Sequence, residues 1–98
     1  IDPAAATITS GYPNPFTEGT VVGFVVPATG GSETVEIAIF DVQGRRIKTL
    51  MTRAMPAGHY TIEWDGKLAD GSNAASGVYF VRMEAGGEID VRRVLRIR

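Results

Sequence analysis

Side chains that commonly perform catalysis are few in this 98-residue chain, and their surroundings do not complete a catalytic group. His59 is the only histidine, and cysteine is absent. A histidine that acts as a general base needs a nucleophile within hydrogen-bond reach. The Gly-x-Ser-x-Gly motif that often presents a serine nucleophile does not occur. We therefore predict that His59 is an ordinary strand residue and that the domain is not an enzyme.

Oxygen-bearing side chains are concentrated in the segment 65–73, which contains Asp65, Asp70, Ser72 and Asn73. Calcium prefers such ligands, but the segment lacks the Asp-x-Asp-x-Asp-Gly spacing and the distal glutamate that gather several oxygens around one ion. Short polar side chains also bond their own backbone in turns. We favour turn capping and predict no cofactor, with calcium binding by this loop as the alternative.

The last part of the chain is rich in arginine, with Arg82, Arg92, Arg93, Arg96 and Arg98. These side chains could meet an acidic partner or phosphate groups through charge-assisted hydrogen bonds. Alternatively, charges along an edge strand oppose edge-to-edge aggregation. The whole chain carries 10 basic and 11 acidic residues, so its charge does not favour nucleic acid as a partner.

The elements that must position these residues are short strands. Glycine (12) and proline (5) separate runs rich in Val, Ile, Thr and aromatic residues, which is typical of a β-sandwich. Alternation of apolar and polar residues predicts strands at about 20–26, 34–41, 46–51, 59–64, 77–85 and 88–98. Residues 1–11 form either a linker or a frayed first strand. We predict one all-β domain, an antiparallel sandwich of six to seven strands.

The same alternation assigns the faces of the strands. Apolar faces consist of Val22, Phe24 and Val26; Val35, Ile37 and Ile39; Tyr60, Ile62 and Trp64; and Tyr79, Val81 and Met83. In the last strand the odd positions from Ile89 to Ile97 form the apolar face, interrupted by Arg93, and the even positions are charged apart from Val94. Phe40 lies off its strand's apolar face and is the aromatic residue predicted to be exposed.

The segment Tyr12-Pro13-Asn14-Pro15-Phe16 is restricted by its prolines, which disfavour helix in the residues before them. We predict a polyproline-like strap anchored by Tyr12 and Phe16. Two roles are open for this strap. It could cover one end of a sheet or serve as a recognition epitope, and the two roles are compatible. Two turns are also predicted, a type I turn closed by a left-handed Gly44 and a two-residue hairpin turn at Gly86-Gly87.

Several motifs, taken together, resemble a known family. They are Tyr-Pro-Asn-Pro-Phe, Phe-Val-Val-Pro, Ile-Phe-Asp-Val-Gln-Gly-Arg, Ala-Gly-His-Tyr followed by Trp-Asp-Gly, Ser-Gly-Val-Tyr-Phe-Val-Arg-Met, and the final Arg-Arg-Val-Leu-Arg-Ile-Arg. Over residues 12–98 the chain resembles the type A C-terminal sorting domain of the bacterial type IX secretion system. It is also similar to the Ig-like domain of the flagellar hook-capping protein.

This resemblance implies an Ig-like sandwich that addresses a larger cargo protein, through the periplasm, to the cell surface or the medium. The implied partners are the parent cargo domain, the outer-membrane secretion machinery and a sortase-like peptidase that attaches cargo to lipopolysaccharide. The residues that match the sorting motif are Pro13, Asn14, Pro15, Gly44, Gly77, Tyr79 and Arg93. Arg93 stands where lysine is more usual, and Arg96 where an apolar residue is expected.

Two other functions remain open. One is a structural Ig-like module of a secreted enzyme or a flagellar-cap-type protein, and the other is carbohydrate binding by exposed aromatic rings. No apolar run approaches the roughly 20 residues that cross a bilayer as a helix, so no transmembrane segment is predicted. The chain begins at Ile1 without an apolar leader, and we expect the export signal elsewhere in a longer parent.

Overall fold

The computed structural model describes residues 6–27 and 33–97, which form a sandwich of two antiparallel sheets. This confirms the predicted all-β fold class. The described strands are β1 (Thr7–Tyr12), β2 (Thr20–Val26), β3 (Glu33–Phe40), β4 (Arg46–Met55), β5 (Gly58–Trp64), β6 (Gly77–Ala85) and β7 (Glu88–Arg96). One sheet has the order β1-β2-β5 and the other has the order β4-β3-β6-β7.

Local sequence explains most of these boundaries. Alternating Val and Phe residues form β2, which ends before Pro27, a residue without an N–H group for the ladder. Gly86 and Gly87 turn the chain between β6 and β7 with φ values of 58° and 82°, as a two-residue hairpin requires. The segment before the strap contains β1, which pairs with β2 from Thr7 to Tyr12 and has an irregular register between Ile8 and Ser10.

The core lies between the sheets and is built from alternate positions of facing strands. On the side of the four-stranded sheet it contains Val35, Ile37, Ile39, Tyr79, Val81 and Met83, and on the other side Val22, Phe24, Val26 and Trp64. Trp64 is fully buried, and its indole nitrogen donates a hydrogen bond to the Lys67 carbonyl at 3.0 Å. Burying each Val, Ile or Phe side chain contributes about 1.5–3 kcal/mol, so this face-to-face packing is the main source of stability.

The face assignment predicted for β7 is wrong. Val94 and Arg96 are buried, whereas Ile89 and Val91 are 55% and 50% exposed. Cross-strand partners share a face, and Val94 lies opposite Tyr79, whose ring points into the core. The register with β6 therefore decides which face of β7 is inward, and it places the apolar odd positions on the outside of the sheet.

Candidate functional site

Residues 12–16, called the strap below, add a short parallel segment to the outer edge of β7. The Phe16 N–H donates to the Leu95 carbonyl at 2.9 Å, and the Ile97 N–H donates to the Phe16 carbonyl at 2.9 Å. Between them, Phe16 and Arg96 form a parallel bridge. The last part of β7 is thus paired on both sides, with β6 on one and the strap on the other.

Asn14 extends this pairing through its side chain. Its Oδ1 accepts the Leu95 N–H at 2.9 Å, and its Nδ2 donates to the Arg93 carbonyl at 3.2 Å. The carboxamide has one acceptor and one donor side, as a peptide unit does. Asn14 therefore occupies the place that a backbone group of another strand would take on this edge.

The two aromatic residues of the strap behave differently. Phe16 is buried and its ring meets the edge of Trp64 at 5.4 Å between centroids, so it is an anchor as predicted. Tyr12 is 77% exposed, so the prediction that it is a second anchor is wrong. Tyr12 pairs with Val21, and this register turns both side chains to the outer face of the three-stranded sheet.

The path of the strap also differs from the prediction. The Tyr12–Pro13 and Asn14–Pro15 peptide bonds are both cis, whereas a polyproline-like segment has trans bonds. The Pro13 carbonyl accepts the Thr20 hydroxyl at 2.8 Å, which ties the strap to the start of β2. Pro13 and Pro15 themselves are exposed.

Two charged residues of β7 hold the edge of β1. The Ile8 N–H donates to Asp90 Oδ2 at 2.7 Å, and Arg92 Nη2 donates to the Ile8 carbonyl at 3.1 Å. Ile8 lies at the register irregularity of β1. Its backbone N–H and carbonyl bind side chains of β7, a strand of the opposite sheet. Arg92 is thus engaged in joining the two sheets.

Arg96 lies inside the sandwich, at a position where the family resemblance implies an apolar residue. Only 5% of it is exposed. Its Nη1 donates to the Gly66 carbonyl, and its guanidinium carbon lies 5.9 Å from the centre of the Phe16 ring. Among the described residues, Arg96 Nε has no hydrogen-bond partner. Gly66 has φ of 77°, and a Cβ there would come within 2.7 Å of the guanidinium carbon, so glycine is required beside Arg96.

Tyr79 supports the same region from β6. The residue is buried, its hydroxyl donates to the Ala75 carbonyl at 2.6 Å, and its ring meets Trp64 at 5.3 Å. A tyrosine bonded to backbone a few residues upstream recurs in Ig-like sandwiches. Gly77 begins β6 and lies opposite Arg96. Of these two motif residues, Tyr79 therefore supports the core beneath the strap.

Gly44 lies in the hairpin between β3 and β4, with φ of 82°. Its N–H donates to the Asp41 carbonyl at 3.0 Å, which is the predicted type I turn. The Asp41 carboxylate accepts the backbone N–H groups of Arg45 and Gln43, each at 2.9 Å. The hydrogen bond from the Arg45 backbone N–H is the main reason that the pKa of Asp41 lies below its usual range.

The outer face of the four-stranded sheet carries Arg82 and Arg93. The Arg82 guanidinium stacks on the Phe40 ring at 4.6 Å, and Arg46 lies against the same ring at 5.4 Å. Phe40, predicted to be the exposed aromatic, is half-buried between these two cations. Arg93 is exposed, lies opposite Phe80 and forms no ion pair within residues 6–27 and 33–97.

The predicted basic cluster is therefore not one patch. Arg82 and Arg93 lie on the outer face, Arg92 reaches β1 and Arg96 enters the core. Arg98 lies outside the described residues. The arginines of the cluster therefore have different surroundings. Among its described members, Arg93 is the one whose guanidinium group has neither an ion pair nor a hydrogen bond.

Asp65 and Asp70 of the 65–73 loop cap turns, whereas Asn73 Oδ1 accepts a hydrogen bond from Lys67 Nζ at 3.2 Å. Asp65 Oδ1 accepts the Lys67 N–H at 3.0 Å. Asp70 Oδ1 accepts the Ser72 N–H at 2.9 Å and the Ser72 hydroxyl at 2.6 Å. In the described ranges, no three or more His, Cys, Asp or Glu residues come together as metal ligands. Each of the two carboxylates closes its own local turn.

Residues 10–88 match the family model described as the FlgD Ig-like domain. The chain belongs to this family. The Basal-body rod modification protein FlgD of Escherichia coli (strain K12) is 33% identical over 66 residues, which are 67% of this chain and 29% of that protein. The same protein of Salmonella typhimurium is 35% identical over 54 residues, 55% of this chain and 23% of that protein. The FlgD Ig-like domain described here thus spans less than a third of these curated relatives.

Solved structures extend the likeness of this FlgD Ig-like domain. PorZ, described as an essential bacterial surface component of the type-IX secretion system of Porphyromonas gingivalis, is 26% identical with a TM-score of 0.58, over 93% of this chain and 11% of PorZ. Dimeric latent PorU from Porphyromonas gingivalis has a TM-score of 0.77 at 20% identity, over 99% of this chain and 10% of PorU. A β-glucosidase from Listeria innocua has a TM-score of 0.60 at 12% identity, over 93% of this chain and 15% of the enzyme. The PorU and β-glucosidase likenesses show the fold alone.

Within the described ranges, no helix has the length and apolar character to cross a membrane. Sequence reasoning missed three residues that organise the FlgD Ig-like domain, namely Thr20, Gly66 and Asp90. Gly66 and Asp90 act through contacts 30 and 82 positions away, and Thr20 acts through the bond from its hydroxyl to the Pro13 carbonyl, seven positions earlier. Only Gly66 had a local indication, the Asp-Gly turn dipeptide. That pattern predicts a turn but not the arginine that lies against it.

Proposed function

We propose that this FlgD Ig-like domain is a non-catalytic sorting and anchoring domain that directs a larger cargo protein through the outer membrane. In this proposal the outer-membrane secretion machinery recognises the folded domain, and the cargo ends at the cell surface or in the medium. Removal by a sortase-like peptidase, with attachment of the cargo to lipopolysaccharide, belongs to the same proposal.

One geometric observation carries the proposal. Asn14, Pro15 and Arg93, which match the sorting motif from opposite ends of the sequence, line one surface depression of about 390 Å³ together with Val78, Val94 and Leu95. Pro15 and Arg93 are exposed there. Asn14 is held there by its bonds to β7, whereas the Arg93 guanidinium group has no hydrogen bond or ion pair in the described part of the chain and is available to a partner. A preorganised surface of this kind limits the entropy lost on binding.

The remaining motif residues fit a supporting role in the same proposal. Tyr79 belongs to the core beneath the strap, Gly77 lies opposite Arg96 at the start of β6, and Gly44 forms a tight hairpin. Likeness to part of PorZ, which is described as a surface component of the type-IX secretion system, further supports a role connected with that system.

The test is a fusion of residues 1–98 behind an exported reporter, in a host with a type IX secretion system. We expect the reporter at the surface or in the medium. Arg93→Ala should leave it in the periplasm, whereas the matched variant Arg53→Ala, an exposed arginine of β4, should be exported normally. Both variants should unfold at the same temperature as the parent chain, which separates loss of recognition from loss of folding. Periplasmic retention of the unmodified fusion, beside a correctly exported control, would contradict the proposal.

A second candidate is a structural module in a flagellar-cap-type protein, favoured by the 33% identity to the E. coli FlgD protein. The test is a chimera in which residues 10–88 replace the matching part of that protein in a strain without its own copy. Restored motility, together with failure of the export fusion, would favour this function. Carbohydrate binding lacks comparable support, since Trp64 is buried and Tyr60 stacks on Phe24.

A further inference from the structure

Apolar side chains are concentrated on the outer face of the four-stranded sheet. Because the odd positions of β7 point outward, Ile89 and Val91 are about half exposed, and Val42 in the hairpin between β3 and β4 is 68% exposed. The half-buried Val78 and Phe80 of β6 lie beside them on the same face. Contiguous exposed apolar surface rimmed by polar groups marks interaction sites. We call the cross-strand pairs Val78–Leu95, Phe80–Arg93 and Arg82–Val91 the outer track.

The outer track is concave at both ends. One depression, of about 390 Å³, lies against Pro15, Val78 and Leu95. The other, of about 320 Å³, lies against Phe80, Val91 and Val42. The Phe80–Arg93 pair lies where the two depressions adjoin, with Arg93 lining the first and Phe80 lining the second. Successive cross-strand pairs of the outer track are two residues apart, which is roughly 6.6–6.8 Å along a strand. In an extended peptide, the side chains on one face repeat at the same interval. An extended peptide can therefore place three side chains on the track. One enters each depression, and the one between them lies over the Phe80–Arg93 pair.

Charges on this face favour an acidic occupant. Glu36 is bound by Arg46 at 3.0 Å, and that hydrogen bond is the main cause that lowers the pKa of Glu36. Arg82 lies 3.9 Å from both Glu36 and Glu84. Arg93, in the middle pair of the outer track, has no carboxylate within ion-pair distance in the described part of the chain. Asp41, which lines the second depression, is paired with Arg45. The face thus has four guanidinium groups for three carboxylates, and the guanidinium group without a carboxylate partner is that of Arg93 on the track itself.

From this geometry we infer that the outer track binds an extended acidic segment of a protein partner. An apolar side chain enters each depression, and a carboxylate on the residue midway between them binds Arg93. A second copy of this chain is a poorer occupant, because two identical faces would bring Arg82 and Arg93 of both copies together. The inference does not depend on export, since it concerns what the isolated domain binds.

The experiment uses the 98-residue chain, labelled with ¹⁵N, and the capped peptide Gly-Phe-Ser-Asp-Ser-Val-Gly. In an extended conformation its Phe, Asp and Val share one face. We expect saturable shifts at the amides of Val78, Phe80, Val91 and Leu95. A peptide with Lys in place of Asp, and one with Ser in place of Phe and Val, should each bind at least about tenfold more weakly, since charge-assisted contacts and apolar burial are both removed.

Variants of the domain locate the site. Arg93→Glu should weaken binding of the acidic peptide by about tenfold or more, and Arg53→Glu on β4 should leave it unchanged. The affinity should fall in 0.5 M salt, as it does for exposed charges in general. No saturable shifts, equal binding of the Lys peptide, or shifts mapping to another face would overturn the inference. So would self-association in sedimentation that Val91→Asp abolishes, since it would make a second copy the occupant.

Discussion

The side-chain oxygen of Asn14 accepts the backbone N–H of Leu95 at 2.9 Å, although 81 positions separate the two residues. The same side chain donates to the Arg93 carbonyl, so one residue satisfies two groups on the edge of β7. Unpaired groups on an edge strand are a template for aggregation. The strap thus protects the last strand as well as bringing Asn14 and Pro15 beside Arg93.

Asn14→Ala removes both of these hydrogen bonds. Because each contributes about 0.5–1.5 kcal/mol net, we expect the free energy of unfolding to fall by about 1–3 kcal/mol in urea denaturation. Glu18→Ala, at an exposed position nearby, is the control and should change it little. An unchanged midpoint for Asn14→Ala would mean that the strap does not depend on this side chain.

Arg96 and Gly66 form a second testable pair. Even a buried ion pair can often be replaced by apolar groups of similar volume with a neutral effect or a gain of about 1–4 kcal/mol. Arg96 has no ion pair in the described part of the chain and has an unsatisfied Nε. We therefore expect Arg96→Met to be at least as stable as the parent chain. Arg96→Ala leaves a cavity and should lose about 2–4 kcal/mol.

Coupling between the two residues is measured by adding Gly66→Ala. That change alone forces a Cβ against the guanidinium group and should destabilise strongly. It should cost less in the Arg96→Met background, where only the positive φ still opposes alanine. Equal costs in both backgrounds, measured by thermal or urea denaturation, would show that the two residues do not interact as described.

Tyr79 offers a measure of the core around Trp64. Tyr79→Ala should cost roughly 3–5 kcal/mol, as truncation of a buried aromatic residue does. Tyr79→Phe keeps the ring contact with Trp64 and loses only the hydrogen bond to the Ala75 carbonyl, so it should cost about 1 kcal/mol. Similar losses for the two variants in chemical denaturation would assign the stabilisation to the hydroxyl and not to the ring.

The pH dependence of stability follows from carboxylates whose pKa lies below the usual range. Hydrogen bonds from Arg46 lower the pKa of Glu36, and the backbone N–H of Arg45 lowers the pKa of Asp41. A folded-state pKa below the unfolded value stabilises the fold above the unfolded pKa, and this contribution is lost as pH falls through the folded value. We expect stability to be level near neutral pH and to decline below about pH 4.5, the ordinary value for glutamate.

Urea denaturation at a series of pH values tests this sign. Asp41→Asn removes one of the titrating groups, so its stability should decline less steeply in acid than that of the parent chain. Thr17→Asn, at an exposed position that does not titrate, is the matched control and should follow the parent. Greater stability at pH 3 than at pH 7 would contradict the assignment.

The alternation of apolar and polar residues was sufficient to predict the bounds and the buried face of a strand when one of its faces is uniformly apolar. The bounds of β2 and β6 agree with the prediction, and Val22, Phe24, Val81 and Met83 are buried as expected. The turn at Asp41 and Gly44 was also predictable, because a short side chain and a left-handed glycine specify it over four residues.

Prediction failed where a distant segment decides the outcome. Both faces of β7 contain apolar residues, and only the register with Tyr79 selects Val94 for the core. Tyr12 is exposed because of its pairing with Val21, which its own neighbours do not reveal. Of the candidate site, the residue identities in the strap were predictable, but their convergence with Arg93 depends on contacts across the length of the domain.

The clamp on Ile8 by Asp90 joins positions 82 residues apart, and the strap meets β7 at nearly the same separation. Sandwiches that close through such remote pairings fold slowly, because the entropy of a long loop is lost before the contact forms. A chain emerging from a pore or a ribosome with its first residue leading cannot complete this domain until β7 has followed. Closure of the sandwich thus requires that the chain has emerged as far as the end of β7.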